Sequence, residues 1–385
     1  MDLSLEPPAC RWVKPQAAYL HVPFCRHRCG YCNFSVVAGR VGWIERFLVA
    51  IDRELAWIDR PSVRTVFLGG GTPTHLDLPQ LQRLLRMVRE RFDLDDDVEW
   101  SIEANPEDIT REKLEVLVDH GVNRISLGVQ SFDREKLGIL QRGHDRAAAI
   151  QAVELAASRL ANISIDLIFA APHETLDVWQ HDVETALRLP IRHLSTYSLT
   201  FEKGTSFWSQ RNRGLLRPID EADEVKMYQF VQRAADRMRM EQYEISNFAR
   251  PGSRCAHNVA YWQGEGWFAA GPGAARFVDG VREVNHRSTS TYLRRIESGQ
   301  DPTAECEAIS MTQYARERFA FGIRMLDGID TGTLSDSVGL DVVDLCREAV
   351  ESSIADGLLE QQAQRLKLTE RGILFADAVA SRLLG

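Results

Sequence analysis

The sequence predicts an α/β fold: strand–helix repeats forming a parallel sheet that curls into a barrel or partial barrel, followed by a helical, winged-helix-like cap. Three observations carry this reading. β-rich and helix-like runs alternate from residue 17 to 199. Successive strands carry one polar and one apolar face. The last part of the chain reads helix, helix, short hairpin, helix.

The spacing predicts strands over 17–24, 65–68, 98–104, 124–129, 162–169 and 193–199. Helices are predicted over 42–58, 79–91, 111–120, 146–160 and 176–189. Strand then helix, repeated, implies parallel pairing with right-handed crossovers. An open doubly wound sheet is the alternative. Side chains alternate sides along a strand. One face therefore carries Ser101, Glu103 and Asn105, then Ser126, Gly128 and Gln130, then Asn162, Ser164 and Asp166. The opposite faces are apolar. A sheet covered by helices on both faces, or a filled barrel, should be apolar on both. Polar inner faces suit a wide or incomplete barrel around a polar ligand; the other reading is that they meet solvent.

Beyond residue 199 the pattern predicts a helix over 221–240, a strand over 243–250 and a Pro-Gly turn at 251–252. A polar linker is expected near Pro302. Helices over 311–326 and 342–354 follow, then strands over 357–360 and 365–368, with Thr369 capping a last helix. The expected division is an arm over 1–16, a barrel over 17–240, a ligand-binding region over 241–300 and a cap over 301–385.

At about 150 residues per domain, 385 residues suggest two or three domains. Hydrophobic residues are 44% and charged residues 26%, which argues against disorder and coiled coil. No apolar run is long enough to span a membrane, and the N-terminus lacks a secretory pattern. With 46 basic and 55 acidic residues the net charge is -9, a poor match to a phosphate backbone. Winged helices often bind DNA, but 327–385 holds eleven acidic and five basic side chains, so no nucleic-acid partner is expected.

Three of the seven cysteines fall in Cys25-Arg26-His27-Arg28-Cys29-Gly30-Tyr31-Cys32, directly after the first strand. The odd total argues against a disulfide framework. A Cys-x3-Cys-x2-Cys loop can bind three irons of a cubane cluster and leave the fourth without a protein ligand. Structural zinc is the competitor; it needs a fourth ligand, for which His21 and His27 are candidates.

Tyr19-Leu20-His21-Val22-Pro23-Phe24-Cys25, continuing to Cys32-Asn33-Phe34, resembles the radical S-adenosylmethionine (SAM) superfamily. More narrowly it resembles the branch holding oxygen-independent coproporphyrinogen III oxidase and the heme chaperone HemW. The resemblance implies a radical-SAM partial (β/α)6 TIM-like barrel and a [4Fe-4S] cluster on Cys25, Cys29 and Cys32. It also implies SAM on the open iron, with an electron donor to the cluster. The glycines of Leu68-Gly69-Gly70-Gly71-Thr72-Pro73-Thr74 allow close backbone approach. By resemblance Gly70, Gly71 and Thr72 contact SAM, and Glu103, Gln130, Arg142 and Asp166 line its pocket. Tyr19 and Tyr31 match further SAM contacts, and Thr200 is a candidate for the same cavity. Strand carboxyl ends are where such residues belong.

Two functions compete within that branch. One is decarboxylation of coproporphyrinogen propionates in porphyrin biosynthesis. The other is binding heme and passing it to an acceptor protein. Phe34 stands where the oxidase has a further cysteine, and only 24 residues precede Cys25. His257-Asn258-Val259-Ala260-Tyr261-Trp262 resembles the HemW heme-binding signature HNxxYW. An imidazole can ligate heme iron, and Tyr261 and Trp262 offer flat apolar area. Cys255 is an alternative ligand; the alternative for His257 is a loop histidine packed beneath two aromatics. Arg282 and Asn285 fit the family context, and Arg282 is a candidate to pair with a propionate. One departure stands out: Ala275, in Gly271-Pro272-Gly273-Ala274-Ala275-Arg276, occupies a position where relatives often carry histidine. The resemblance favours heme binding and delivery, in the cytoplasm.

Overall fold

The computed structural model describes residues 12–385. Cys10 and most of the expected arm lie outside the described residues. Six parallel strands stand side by side in chain order: β1 (Ala17–Val22), β2 (Ser62–Gly70), β3 (Asp93–Ala104), β4 (Arg124–Gln130), β5 (Asn162–Phe169) and β6 (His193–Ser198). The crossovers are α1 (Trp43–Leu55), α2 (Leu78–Arg91), α3 (Arg111–Asp119), the pair α4 (Arg134–Ile139) and α5 (Arg146–Ala157), and α6 (Leu176–Arg188). Thr110, Asp133, Asp145 and Thr175 cap α3 to α6, each side chain accepting a backbone N–H of the first turn. Such a cap contributes about 1 kcal/mol.

The sheet continues on both sides. After α7 (Ser206–Asn212) and α8 (Glu221–Arg237), β7 (Glu241–Glu244) and β8 (Asn247–Ala249) add antiparallel beyond β6. After α9 (Ala256–Trp262), β9 (Trp267–Ala270) joins β1 in parallel. β10 (Ala275–Val278), β11 (Val281–Asn285) and, past α10 (Thr289–Glu297), β12 (Thr303–Ala308) extend it antiparallel. The result is an open twelve-stranded sheet. Laid flat at about 4.8 Å per strand, β1 and β6 would stand roughly 24 Å apart. Yet Tyr19 on β1 and Tyr197 on β6 wall one cavity, so the six strands curl into a partial barrel.

The apolar faces of β3 to β5 point outward into the helices: Ile102, Ile125, Leu127, Ile163, Ile165 and Leu167 are fully buried. Each such side chain contributes about 1.5–3 kcal/mol. The opposite face, with Glu103, Asn105, Ser126, Gly128, Gln130 and Asp166, lines an interior cavity rather than bulk solvent. The doubly wound alternative is thereby excluded.

The C-terminal part has its own core, built from α11 (Met311–Gly322), α12 (Thr331–Val338), α13 (Val342–Leu345), α14 (Arg347–Ala355), α15 (Glu370–Leu374) and α16 (Ala376–Leu384). A three-stranded sheet of β13 (Ile329–Asp330), β14 (Leu359–Gln362) and β15 (Arg365–Leu368) completes it, with β15 central. Phe319, Ile323, Val338, Val342 and Leu383 are fully buried there. Phe277 of β10 joins that core, so the cap packs on the sheet extension.

Several expectations are corrected. The stretch near Pro302 is not a linker: 303–308 is the edge strand β12, and its exposed Glu305 and Glu307 are the charges that blunt a sheet edge. The single strand expected over 243–250 is a hairpin, because the Glu244 carboxylate accepts from the Ser246 N–H (2.9 Å) and from Asn247 Nδ2 and so turns the chain. The helix over 342–354 breaks at Cys346, whose φ of -116° leaves the helical range. The C-terminal hairpin gains a third strand, and the HNVAYW segment is helical, not a loop.

A buried ion triad braces the α4 turn. Lys136 Nζ lies 2.5 Å from Glu174 and 2.9 Å from Asp182, all three nearly free of solvent. Asp182 also accepts from Ser131 Oγ and the Phe132 N–H, each at 2.6 Å. Lys136→Met leaves two carboxylates buried without a cation and is expected to cost about 3–5 kcal/mol. Urea unfolding checks this; a change under 1 kcal/mol contradicts it.

Candidate functional site

The three thiols are free and face one cavity of about 760 Å³ at the carboxyl ends of β1 to β6. Cys25 leaves β1 through a two-residue parallel pairing of Phe24–Cys25 with Val37–Ala38. The Thr72 N–H donates to Phe24 O at 2.7 Å, and the Gly71 N–H to Val22 O at 2.9 Å. These contacts press the glycine turn against the loop. A Cβ on Gly71 would come within 2.6 Å of Val22 O, so a side chain cannot fit. A Cβ on Gly30 would meet the Phe207 ring at 2.6 Å.

Gln141 holds the loop from the other side. Its Oε1 accepts the Gly30 N–H at 2.8 Å, and its carbonyl contacts His27 Nε2. Gln141 sits at φ +56°, a left-handed conformation that ends α4 with the Arg142 N–H donating to Leu137 O. That turn aims Arg142 inward: Nη1 is 3.7 Å from Cys29 Sγ, and Nη2 donates to Gly128 O at 2.8 Å and to Asn105. Arg142 Nε is buried without a protein partner.

Burial pushes the Cys25 thiol up to about 12, against the opposing Thr72 hydroxyl 3.6 Å away, and Cys32 is raised for the same reason. A metal cluster must displace those protons, and the Arg142 guanidinium beside Cys29 offsets the charge it brings. Among the described residues, no three His, Cys, Asp or Glu side chains are grouped to hold a single metal ion. His21 has both ring nitrogens engaged, with Tyr19 Oη (3.0 Å) and Ser35 O (2.9 Å). A zinc ion bound there would have to break one of these contacts. Three loop thiols, a guanidinium and tight backbone turns facing one large cavity fit a cluster plus a small polar ligand.

Of the SAM candidates, Tyr31, Gly70, Gly71, Thr72, Glu103, Gln130, Arg142 and Asp166 line this cavity together, as does Thr200. Tyr19 does not; it lines the second cavity, its ring 6.2 Å from that of Phe67. The cavity also includes Asn105, whose Nδ2 donates to Thr72 Oγ1 at 2.8 Å. Its place just past the end of β3, in phase with that strand's polar face, was the signal for it. Gln141 carried no such signal.

Glu103 accepts the Gly70 N–H at 2.9 Å. Burial, with the nearby Asp166 carboxylate, raises its pKa to about 8, and the Gly70 N–H opposes this. Asp166 is also raised by burial, although Ser126 Oγ donates to both its oxygens at 3.0 and 3.1 Å. At pH 7 Glu103 is therefore neutral and can donate to a hydroxyl. Its folded pKa lies above the unfolded value of about 4.5, so stability falls as pH rises from about 4.5 through 8. Glu103→Gln is expected to flatten that fall and to remove a neutral-carboxyl infrared band present at pH 7. Absence of the band in the unsubstituted protein contradicts this.

The second cavity, about 530 Å³, meets the first where Glu103, Ser126, Asp166 and Tyr197 line both. His257, Asn258, Tyr261 and Trp262 all face it from α9. Glu99 anchors that helix by accepting the Ala256 and His257 N–H groups at 3.0 and 3.1 Å. His257 Nδ1 contacts Thr65 Oγ1 at 2.9 Å and Nε2 contacts Tyr261 Oη at 3.0 Å. Its ring stacks on Phe67 at 5.2 Å, and burial lowers its pKa to about 3, so it is neutral. Cys255 lines the same cavity as a thiol pushed up to about 12, mainly by burial. Ala275 lies on the wall, where a histidine would project. Arg282 is at the cavity and paired with Glu317, whereas Asn285 is buried away from it, donating to Glu54 at 2.6 Å.

Comparison with known proteins gives consistent results. Residues 19–186 match the radical SAM superfamily, and residues 309–375 the HemN C-terminal domain. A Mycobacterium tuberculosis protein described as heme chaperone HemW is 36% identical, with 97% of this chain and 95% of that one covered. A Lactococcus lactis protein of the same description is 33% identical (96% and 98% covered), and one from Escherichia coli 32% (97% and 99%). The solved coproporphyrinogen III oxidase (HemN) of Escherichia coli, a radical SAM enzyme, superposes with a TM-score of 0.85 at 21% identity. It covers 97% of this chain and 91% of its own. That likeness is one of fold.

Proposed function

Because the chain belongs to the HemW family of radical SAM proteins, we propose that it binds heme in the second cavity and delivers it to an acceptor protein. A [4Fe-4S] cluster and SAM occupy the first cavity in this reading. The observation that carries it is the placement of all four HNxxYW side chains on a cavity walled by aromatic rings and continuous with the cysteine cavity. When bound, the cluster supplies a low-potential electron and an iron open to SAM.

The chain's own residues divide the work. Cys25, Cys29 and Cys32 hold the cluster, and Arg142 compensates charge at Cys29. Gly70, Gly71 and Thr72 present backbone and hydroxyl groups to SAM. Glu103, as a neutral carboxyl, donates to a ribose hydroxyl, with Asp166, Gln130 and Tyr31 completing the pocket. Tyr261 and Trp262 stack on the porphyrin, and His257 reaches its iron once Tyr261 releases Nε2. Tyr19 serves the heme wall in this reading. Residues 17–240 form the cofactor half, 241–300 the heme region and 301–385 the cap. An electron donor and a heme acceptor are the protein partners, and the cytoplasm is the site of action. Among the described residues, no helix is long and apolar enough to cross a membrane.

The test is anaerobic reconstitution followed by two assays. Hemin is titrated and its passage to apomyoglobin followed; separately, coproporphyrinogen III is supplied with SAM and a reductant. Stoichiometric heme binding and transfer without vinyl product is the expected result. Vinyl product over many turnovers would establish the oxidase instead.

A further inference from the structure

The second cavity carries charged groups at both ends. Its deep end holds Glu103, Asp166 and the buried Arg124, whose guanidinium is committed to Ser253 O at 3.1 Å and lies 4.0 Å from Glu99. Its rim holds two guanidiniums contributed by different parts of the fold: Arg282 from β11 and Arg318 from α11 of the cap. Arg318 is a built feature. Its Nε donates to Gln263 O at 3.0 Å, its Nη1 to Ser337 Oγ at 2.7 Å, and its guanidinium lies 5.5 Å over the Tyr314 ring. Gly264, at φ +67°, leaves the room: a Cβ there would come within 2.5 Å of Arg318 Cγ. Across the rim Arg282 is paired with Glu317 and lies 3.6 Å from Glu307.

We infer that Arg282 and Arg318 form a propionate-reading rim, so that a dicarboxylate porphyrin enters with its propionate edge at the cap and its apolar edge toward α9. This rests on the heme reading above and adds an orientation and a requirement for the cap. Guanidiniums pair with carboxylates through charge-assisted, directional hydrogen bonds. The deep end offers a propionate no free guanidinium, because Arg124 there is buried and already engaged with Ser253 O and Glu99. Glu317 holds Arg282 until a propionate displaces it.

The experiment titrates the full-length protein with hemin and with hemin dimethyl ester in the same co-solvent, read by Soret absorbance. The ester is expected to bind at least about tenfold more weakly than the diacid. Arg318→Ala and Arg282→Ala should each weaken the diacid about tenfold and leave the ester unchanged, and Arg318→Lys should restore part of the loss. Equal affinity for diacid and ester in the unsubstituted protein would overturn the rim while leaving heme binding intact, and needs no variant to fold. Failure of both porphyrins to bind would remove the heme reading and the rim with it.

Discussion

Serine in place of Cys25, Cys29 and Cys32 together is expected to abolish the brown absorbance of the reconstituted protein and reduce bound iron and sulfide to background. Serine is isosteric but a poor iron ligand, and no other described side chains are grouped to take over a metal. The substituted protein should still fold. Cys25 and Cys32 are only partly buried, and the loop's anchors are backbone contacts to Gln141, Phe207 and the glycine turn. Circular dichroism should therefore be unchanged while the chromophore disappears. Retention of stoichiometric iron, or recovery of one zinc per chain, contradicts the cluster assignment.

The second large effect concerns His257. Its two ring nitrogens contact Thr65 and Tyr261, it is neutral and it is buried, so in the proposed reading ligation of heme iron requires Tyr261 to give way and open the ring to the cavity. His257→Ala is expected to weaken hemin binding by about a hundredfold, roughly 2.7 kcal/mol, and to shift the Soret maximum. Tyr261→Phe should act differently. It removes the hydroxyl that competes for Nε2 but keeps the aromatic wall, so affinity should stay within a few-fold. A histidine that is merely packed would give the opposite order, both variants losing stability and neither changing the Soret position.

The two cavities were unequally legible from sequence. The cysteine loop is local, with three cysteines inside eight residues, so it stands out from spacing alone. The polar faces of β3 to β5 were legible because strand alternation is a local rule, and it placed Glu103, Asn105, Ser126 and Asp166 on one side. Distances in chain set the limit. Gln141 reaches Gly30 across more than a hundred residues, and its left-handed backbone leaves no mark in a sequence where glycine is the usual choice. Thr65, the partner of His257, sits in a strand whose pattern marks it only as a β residue. β12 reads as a linker because an edge strand carries the same charged residues as a loop. Tyr19, close in sequence to the loop, lines the second cavity rather than the first, because nearness along the chain is not nearness across a twisted sheet.

In the proposed reading three thiolates hold the cluster and one iron stays open to SAM. Electron paramagnetic resonance of the reduced, reconstituted protein tests it most directly, recorded with and without SAM labelled with nitrogen-15 at its amino group. A changed spectrum on addition of SAM and a hyperfine coupling to the labelled nitrogen are the expected result. A spectrum indifferent to SAM, with coupling instead to a histidine nitrogen lost in His27→Ala, would contradict it.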